Sequence, residues 1–380
     1  MSNLNMNKIS INNIIIALLF VTPHTLFSIL PSNYSSLYSA MLYSFALLFF
    51  LAKSKYLHFK YITEISFAFC FCFFALLNLM LKGSSALFNV VAPLFALFGY
   101  LYLRRNKKMN IGILKYVLIG FYIYFYFVYY SKLPDYLFRP GFDEDAIVFD
   151  NSSSNAISMT LVLLVYIYLI LNKYYKSDHI RAIFYFSIIN LMLVFIQQSR
   201  AALVVAVVLF FMSFYEYDKK NALRFLLLVL LSTAISFAYY FENILTIFQL
   251  FFIEYNLLQF SKDVRFDAQT YFLSNLSLSN FLIGYPDSTV FARDSTSEMF
   301  YTFNVFLDVW NRYGLIPFFL LIAVLVKRFY HHKRYYFPVY YFIPFLVYSV
   351  VESIFFPNYW DCFIYLLMFT PLYSNKINAH

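Results

Sequence analysis

The chain has 380 residues, 62% hydrophobic and 12% charged, with a formal net charge of +9 and a mean hydropathy of +0.67. Long apolar runs recur throughout, which excludes a soluble domain of this length. The runs are continuous rather than alternating, which excludes a transmembrane β-barrel and predicts an all-α polytopic membrane protein, because backbone in lipid must satisfy its own hydrogen bonds.

Taken in chain order, the runs predict about twelve transmembrane helices, at roughly 10–30, 34–52, 61–81, 85–103, 111–130, 155–173, 182–197, 201–215, 223–241, 303–326, 336–352 and 358–374. The first run lacks a small-residue cleavage site and is followed at once by another, so it reads as an uncleaved first span. Its His24 follows Pro23 near the outer end and reads as a kink-associated histidine before a base. The connecting loops alternate in charge. Lys53, Lys55 and Lys60 mark one, and Arg104, Arg105, Lys107 and Lys108 the next. Lys173, Lys176 and Arg181 follow, then Lys219, Lys220 and Arg224, then Lys327, Arg328, Lys333 and Arg334. Every second loop lacks this enrichment, so the positive-inside rule places both termini in the cytoplasm. These clusters account for the basic balance without nucleic acid. The whole of 1–380 reads as one integral membrane domain. Cys70, Cys72 and Cys362 lie inside apolar runs and show no metal-ligand spacing.

Two predicted outer loops are long. The first, 131–154, carries Arg139, Asp143, Glu144, Asp145 and Asp150, and its acidic run Asp143-Glu144-Asp145 reads as a solvated face before a metal site. The second, 242–302, opens with an apolar, aromatic stretch at 243–260 that reads as an amphipathic helix on the outer surface. Residues 261–301 are the sizeable hydrophilic stretch of the chain. No internal repeat appears, so nothing argues for an inverted-repeat transporter.

Three arginines predicted on the outer side are candidates for chemistry. Arg200 sits in the polar hinge Gln197-Gln198-Ser199-Arg200 between two runs of about 15 residues, shorter than the roughly 20 that span a bilayer. It is therefore expected at or just beneath the membrane surface, either snorkelling to head groups or gripping phosphate with its planar fork. Arg265 lies early in the long loop between Asp263 and Asp267, and reads as a paired loop residue or a phosphate ligand. Arg312 follows Asp308 by one turn, an arrangement that fits either a structural ion pair or a ligand in a buried cavity. Glu352 and Asp361 flank the last outer turn, where they either serve the same cavity or pair locally. No Walker loop, dinucleotide fingerprint, His-Glu-x-x-His or serine elbow is present, so the energy for any reaction comes from the substrate or from a gradient.

Ser199-Arg200 opening a span, a long penultimate outer loop with Arg265 and Gly284, and Phe303-Asn304-Val305-Phe306-Leu307 followed by Gly314-Leu315 form a set. Together they resemble the O-antigen polymerase and O-antigen ligase superfamily, of Wzy and WaaL type. Asn304, Leu307 and Gly314 match its loop-end motif, whereas Phe303 stands where that motif has histidine. The histidine is the residue held to be catalytic in the ligases, so the match favours the polymerase. The resemblance implies a GT-C-like or Wzy-like bundle with one long extracytoplasmic loop, in a bacterial cytoplasmic (inner) membrane. It implies transfer of a glycan from undecaprenyl pyrophosphate to a hydroxyl of a lipid-linked repeat unit. Arg200, Arg265 and Arg312 are then the expected pyrophosphate ligands, and Asn304 a substrate contact. Glu298, Asp308 and Asp267 are the expected candidates for general base. The expected partners are undecaprenyl-pyrophosphate-linked glycans and membrane lipid, with a chain-length regulator as a further protein partner. No metal, nucleotide or nucleic acid is expected.

Three other classes compete. A lipid-linked oligosaccharide flippase should scatter charges along a central path, whereas here they cluster in outer segments. A membrane scaffold has no need of a buried Arg312. A conventional GT-C enzyme carries acidic residues in its first outer loop, and Pro31-Ser32-Asn33 has none.

Overall fold

The computed structural model describes residues 11–29, 32–53, 62–82, 87–105, 107–130, 154–175, 177–196, 200–239, 273, 277–284, 291–293, 298–300, 304–334, 344–346, 349 and 361–369. The described chain is almost wholly helical. Its first part contains α1 (Ile11–Ile29), α2 (Ser32–Lys53), α3 (Ile62–Lys82), α4 (Leu87–Arg105) and α5 (Lys107–Tyr130). Then come α6 (Ser154–Tyr175), α7 (Ile180–Ile196), α8 (Arg200–Tyr217) and α9 (Lys219–Tyr239). These coincide with the predicted spans from 10–30 to 223–241 to within about one turn of helix. The second part contains α10 (Leu278–Ile283), β1 (Phe291–Arg293), β2 (Glu298–Phe300), α11 (Val305–Tyr313), α12 (Leu315–Arg334) and α13 (Asp361–Phe369).

Helices α3 and α4, α6 and α7, and α7 and α8 pack as neighbours in sequence, and short connections reverse the chain after α6 and α8. Between α6 and α7, Asn172 Oδ1 accepts from Ser177 Oγ at 2.6 Å and from the His179 backbone N–H at 3.1 Å. Between α8 and α9 a single residue, Asp218, turns the chain and caps α9 by accepting from Asn221 N at 3.1 Å. Helix α4 is a hub that packs against α2, α3, α5 and α13. At its centre Phe20 meets Phe50, Phe95 and Phe363 with ring centroids 5.9, 5.8 and 5.2 Å apart. Helix α6 is apolar on all sides, and every residue from Leu161 to Leu171 is buried. At the periphery the apolar residues turn outward instead. Ile62, Phe69, Phe73, Leu76 and Met80 form an exposed stripe on α3, and Tyr185, Ile189, Met192 and Phe195 form another on α7.

Ion pairs join helix ends that the charge alternation assigns to one side. Arg104 Nη1 at the end of α4 reaches Glu64 Oε1 at the start of α3 at 2.7 Å, with the Tyr100 hydroxyl bonded to both. Lys173 at the end of α6 pairs with Glu216 at the end of α8.

The structure corrects the expected span 303–326. It is two helices, α11 and α12, separated at Gly314, whose φ of 86° no continuous helix allows. A two-stranded antiparallel ladder, β1 with β2, is a further element that the sequence reading had left inside an undivided loop. The amphipathic helix expected at 243–260 and the acidic run Asp143 to Asp145 lie outside the described residues, as does most of the span expected at 336–352. Among the described residues, Ile62–Met80 is by itself long and apolar enough to cross a membrane, and shorter apolar stretches occur in other helices.

The two ion pairs differ in burial, and so in what their loss should do. The side chains of Arg104 and Glu64 are 16% and 9% exposed, against 31% and 23% for Lys173 and Glu216. Arg104→Met strands a buried carboxylate and should destabilise the protein by about 3 kcal/mol. Lys173→Met should cost under about 1 kcal/mol. Thermal unfolding in detergent, followed by loss of the monodisperse peak on size exclusion, checks the ranking; equal effects would contradict it.

Candidate functional site

Helix α11 is short and is fixed at both ends by its own sequence. Asn304 adopts an extended conformation, and its side-chain oxygen accepts from Phe306 N at 2.9 Å and Leu307 N at 3.3 Å. Gly314 ends the helix, its N–H donating to Trp310 O at 2.8 Å. Helix α10 ends the same way: Ser277 caps its start, and Gly284, at φ 90°, donates to Asn280 O at 2.9 Å. These two glycine ends lie against one another. A Cβ on Gly284 would come within 2.7 Å of Asn311 O and 2.8 Å of Gly314 N. A Cβ on Gly314 would run into the Leu282 carbonyl and the Ile283 backbone. Both glycines therefore answer two demands at once, a left-handed φ and a backbone-to-backbone approach.

Side chains of α3 and of α11 itself hold this crossing. Asn78, near the end of α3, donates through Nδ2 to Ile283 O at 2.7 Å and to Arg312 O at 3.0 Å. Trp310 donates through Nε1 to Phe281 O at 3.0 Å, and its ring lies between Phe281 at 5.3 Å and Phe318 at 5.2 Å. Tyr313 donates through its hydroxyl to Asn89 O at 3.1 Å at the start of α4.

The charged groups stand beside this knot. Arg312 Nε lies 3.0 Å from both carboxylate oxygens of Asp308, one turn earlier on α11. Asp308 is 4% exposed. Its place in the first turn and that of Arg312 in the last both agree with the helix dipole. A second buried carboxylate, Asp361, opens α13 at 1% exposure and lies within Coulombic reach of Tyr313 and Tyr365. The end of α3, the starts of α4 and α13 and all of α11 thus gather two buried carboxylates, a guanidinium, three buried asparagines and a buried tyrosine in a mainly apolar body. Such a cluster can hold an anion or polarise a hydroxyl, because charges in a dry site act at lower effective dielectric.

Of the residues expected from the sequence, Asp308, Arg312 and Asn304 share α11 and its cap. Asn304 Oδ1 is engaged in that cap, so its observed role is structural. Arg200 is the first residue of α8, just after the hinge 197–199, which lies outside the described residues. Glu298 is in β2, opposite Arg293 in the backbone register. His24 is within α1. Arg265, Asp267 and Glu352 lie outside the described residues. The sequence reading missed Asn78 and Trp310. An asparagine late in an apolar run was the available signal for Asn78, since an amide there needs a partner. Among the described residues no group of three or more metal-ligating side chains comes together.

The glycine crossing gives a direct test of this geometry. Gly314→Ala and Gly284→Ala each add a strained φ and a backbone clash, for which about 2–4 kcal/mol is expected. Both variants should lose thermal stability in detergent by more than Gly112→Ala, whose added Cβ would meet the end of a side chain, Asn13 Nδ2, at 3.1 Å. Equal stability of all three would show that the crossing is not close.

In the comparisons with known proteins, no family model, no curated protein and no solved structure matches this chain.

Proposed function

We propose that this protein polymerises undecaprenyl-pyrophosphate-linked repeat units into a bacterial surface polysaccharide, as an O-antigen polymerase of Wzy type in the cytoplasmic membrane. The observation that carries the reading is the Asp308–Arg312 pair, buried where the segment ending the long polar stretch locks onto the helical bundle. A partly exposed arginine held by a buried carboxylate near helix ends suits a phosphate-bearing lipid whose head group lies at that depth. Outward apolar stripes on α3 and α7 support a surrounding bilayer. The alternating loop charges support twelve spans with both termini cytoplasmic and the glycine crossing on the outer side.

The reaction asks little of the protein. The anomeric carbon of the growing glycan loses its bond to the pyrophosphate oxygen, and the leaving undecaprenyl pyrophosphate keeps the electron pair. A hydroxyl of the incoming repeat unit forms the new glycosidic bond, and its proton passes to a base. Arg200 and Arg265 take the pyrophosphates in this reading, with Arg312 third, and they stabilise charge that grows as the leaving group departs. Asp308 is engaged by Arg312, so it serves better as that arginine's partner than as the base. Glu298 and Asp267 remain for the proton. In the described bundle the buried charges of Glu64, Asp308 and Asp361 stand near helix ends, which favours an enzyme over a flippase with a charged central path.

Three experiments test this reading. Reporter fusions after residues 150 and 280 should report an extracytoplasmic location, and fusions after 106 and 330 a cytoplasmic one; a cytoplasmic signal at 280 would end the polymerase reading. Deleting the gene should leave surface lipid capped with one repeat unit. Loss of every repeat unit, with lipid-linked polymer accumulating, would identify a ligase instead. Arg200→Lys and Arg200→Ala should each slow transfer by about 10²- to 10³-fold at normal membrane abundance, since a point charge does not replace a bidentate fork. The ladder on a gel should collapse toward one repeat unit, and wild-type ladders from Arg200→Ala would remove Arg200 from the site.

A further inference from the structure

We infer that Asn78 is a positioning residue for the pyrophosphate-binding Arg312, an inference that rests on the polymerase reading. The two residues are 234 positions apart, yet Asn78 Nδ2 donates to the Arg312 backbone carbonyl at 3.0 Å. The same amide nitrogen donates to Ile283 O at 2.7 Å, so one side chain ties the ends of α10 and α11 to α3. Asn78 is 4% exposed. Its orientation is settled by chemistry, because the flipped amide would set its oxygen against two carbonyl oxygens. Both carbonyls belong to the last turns of helices, where the helix itself supplies no donor. Glycine ends at 284 and 314 supply the close approach that lets one amide reach both.

The guanidinium direction follows from this anchor. Arg312 is the penultimate residue of α11, and its Nε is held by Asp308 one turn back. Asp308 fixes the side chain relative to α11, and Asn78 acts with the Tyr313–Asn89 bond and the glycine crossing to fix the end of α11 relative to the bundle. Without Asn78 the pair can stay intact while the end of α11 shifts. A misplacement of about 1 Å in a group that stabilises a transition state costs on the order of 10²-fold in rate. The defect then belongs to Arg312, although Asn78 touches no substrate.

The test is a double-mutant cycle in proteoliposomes, with purified full-length protein and undecaprenyl-pyrophosphate-linked repeat units as the probe. Asn78→Asp keeps the shape and removes both donors; Asn78→Gln keeps a donating amide. Transfer by Asn78→Asp should fall about 10²-fold. Asn78→Gln should recover at least about a tenth of the wild-type rate, because it retains the donor. In an Arg312→Lys background, which keeps the charge beside Asp308, Asn78→Asp should slow transfer by no more than about 3-fold, because residues acting as one unit are not additive. A purely structural role would give the same loss in both backgrounds and would overturn the inference. So would a wild-type rate from Asn78→Asp. If wild-type protein fails to elongate the probe, the polymerase reading has failed instead, and the two failures are told apart by that control.

Discussion

At Gly284 and Gly314 two helix ends touch backbone to backbone, and neither position has room for a side chain. This contact decides where α11 can lie. It breaks what hydropathy alone would make one span, and it turns Arg312 and Asp308 toward the bundle instead of along a continuous helix. It also exposes terminal carbonyls that need donors, and Asn78 and Trp310 supply them from α3 and from α11 itself. Each such bond contributes about 1 kcal/mol net, but leaving a buried carbonyl unpaired costs more than forming the bond contributes. The crossing is therefore held as much by the penalty for opening it as by attraction.

The helices were largely legible in the sequence because length and hydropathy report them directly. From Ile11–Ile29 to Lys219–Tyr239 each expected span has its helix. The break at Gly314 was not legible, since hydropathy carries no information about φ. Asn304, Leu307 and Gly314 were read as signs of a family, and the structure gives two of them local work: Asn304 caps α11 and Gly314 ends it. The pairing of Arg312 with Asp308 was visible as i,i+4 spacing. Asn78 was invisible as a partner because its two carbonyls lie 205 and 234 residues away, a distance no local pattern spans. The tight turns at Asn172 and Asp218 follow familiar side-chain chemistry, although only the basic clusters around them had marked those loops.

Burial divides the described helices into an enclosed core and an outward-facing apolar periphery. Helix α6 is enclosed on all sides, whereas α9 leaves Leu227, Leu228 and Leu230 more than half exposed. Buried polar residues, among them Asn89, Ser187, Ser213 and Asn311, face inward while large apolar ones face out. In lipid outward apolar stripes are favourable, since hydrocarbon covers them. The same economy bears on three of the described carboxylates. A lone ion in such a body is expensive, so Glu64, Asp308 and Glu216 each sit beside a cation. In the proposed function, Arg312 is the handle that such a body offers to a phosphate-bearing lipid.

The central claim is that this chain by itself transfers a lipid-linked glycan to a second lipid-linked unit, without nucleotide. The most direct measurement is reconstitution of the purified protein in vesicles with undecaprenyl-pyrophosphate-linked repeat units as the sole glycan, with no nucleotide and with a metal chelator present. The account predicts a ladder of lipid-linked polymer and one undecaprenyl pyrophosphate released for each glycosidic bond formed. Vesicles in which the repeat unit stays monomeric, or merely moves from one leaflet to the other, would contradict it.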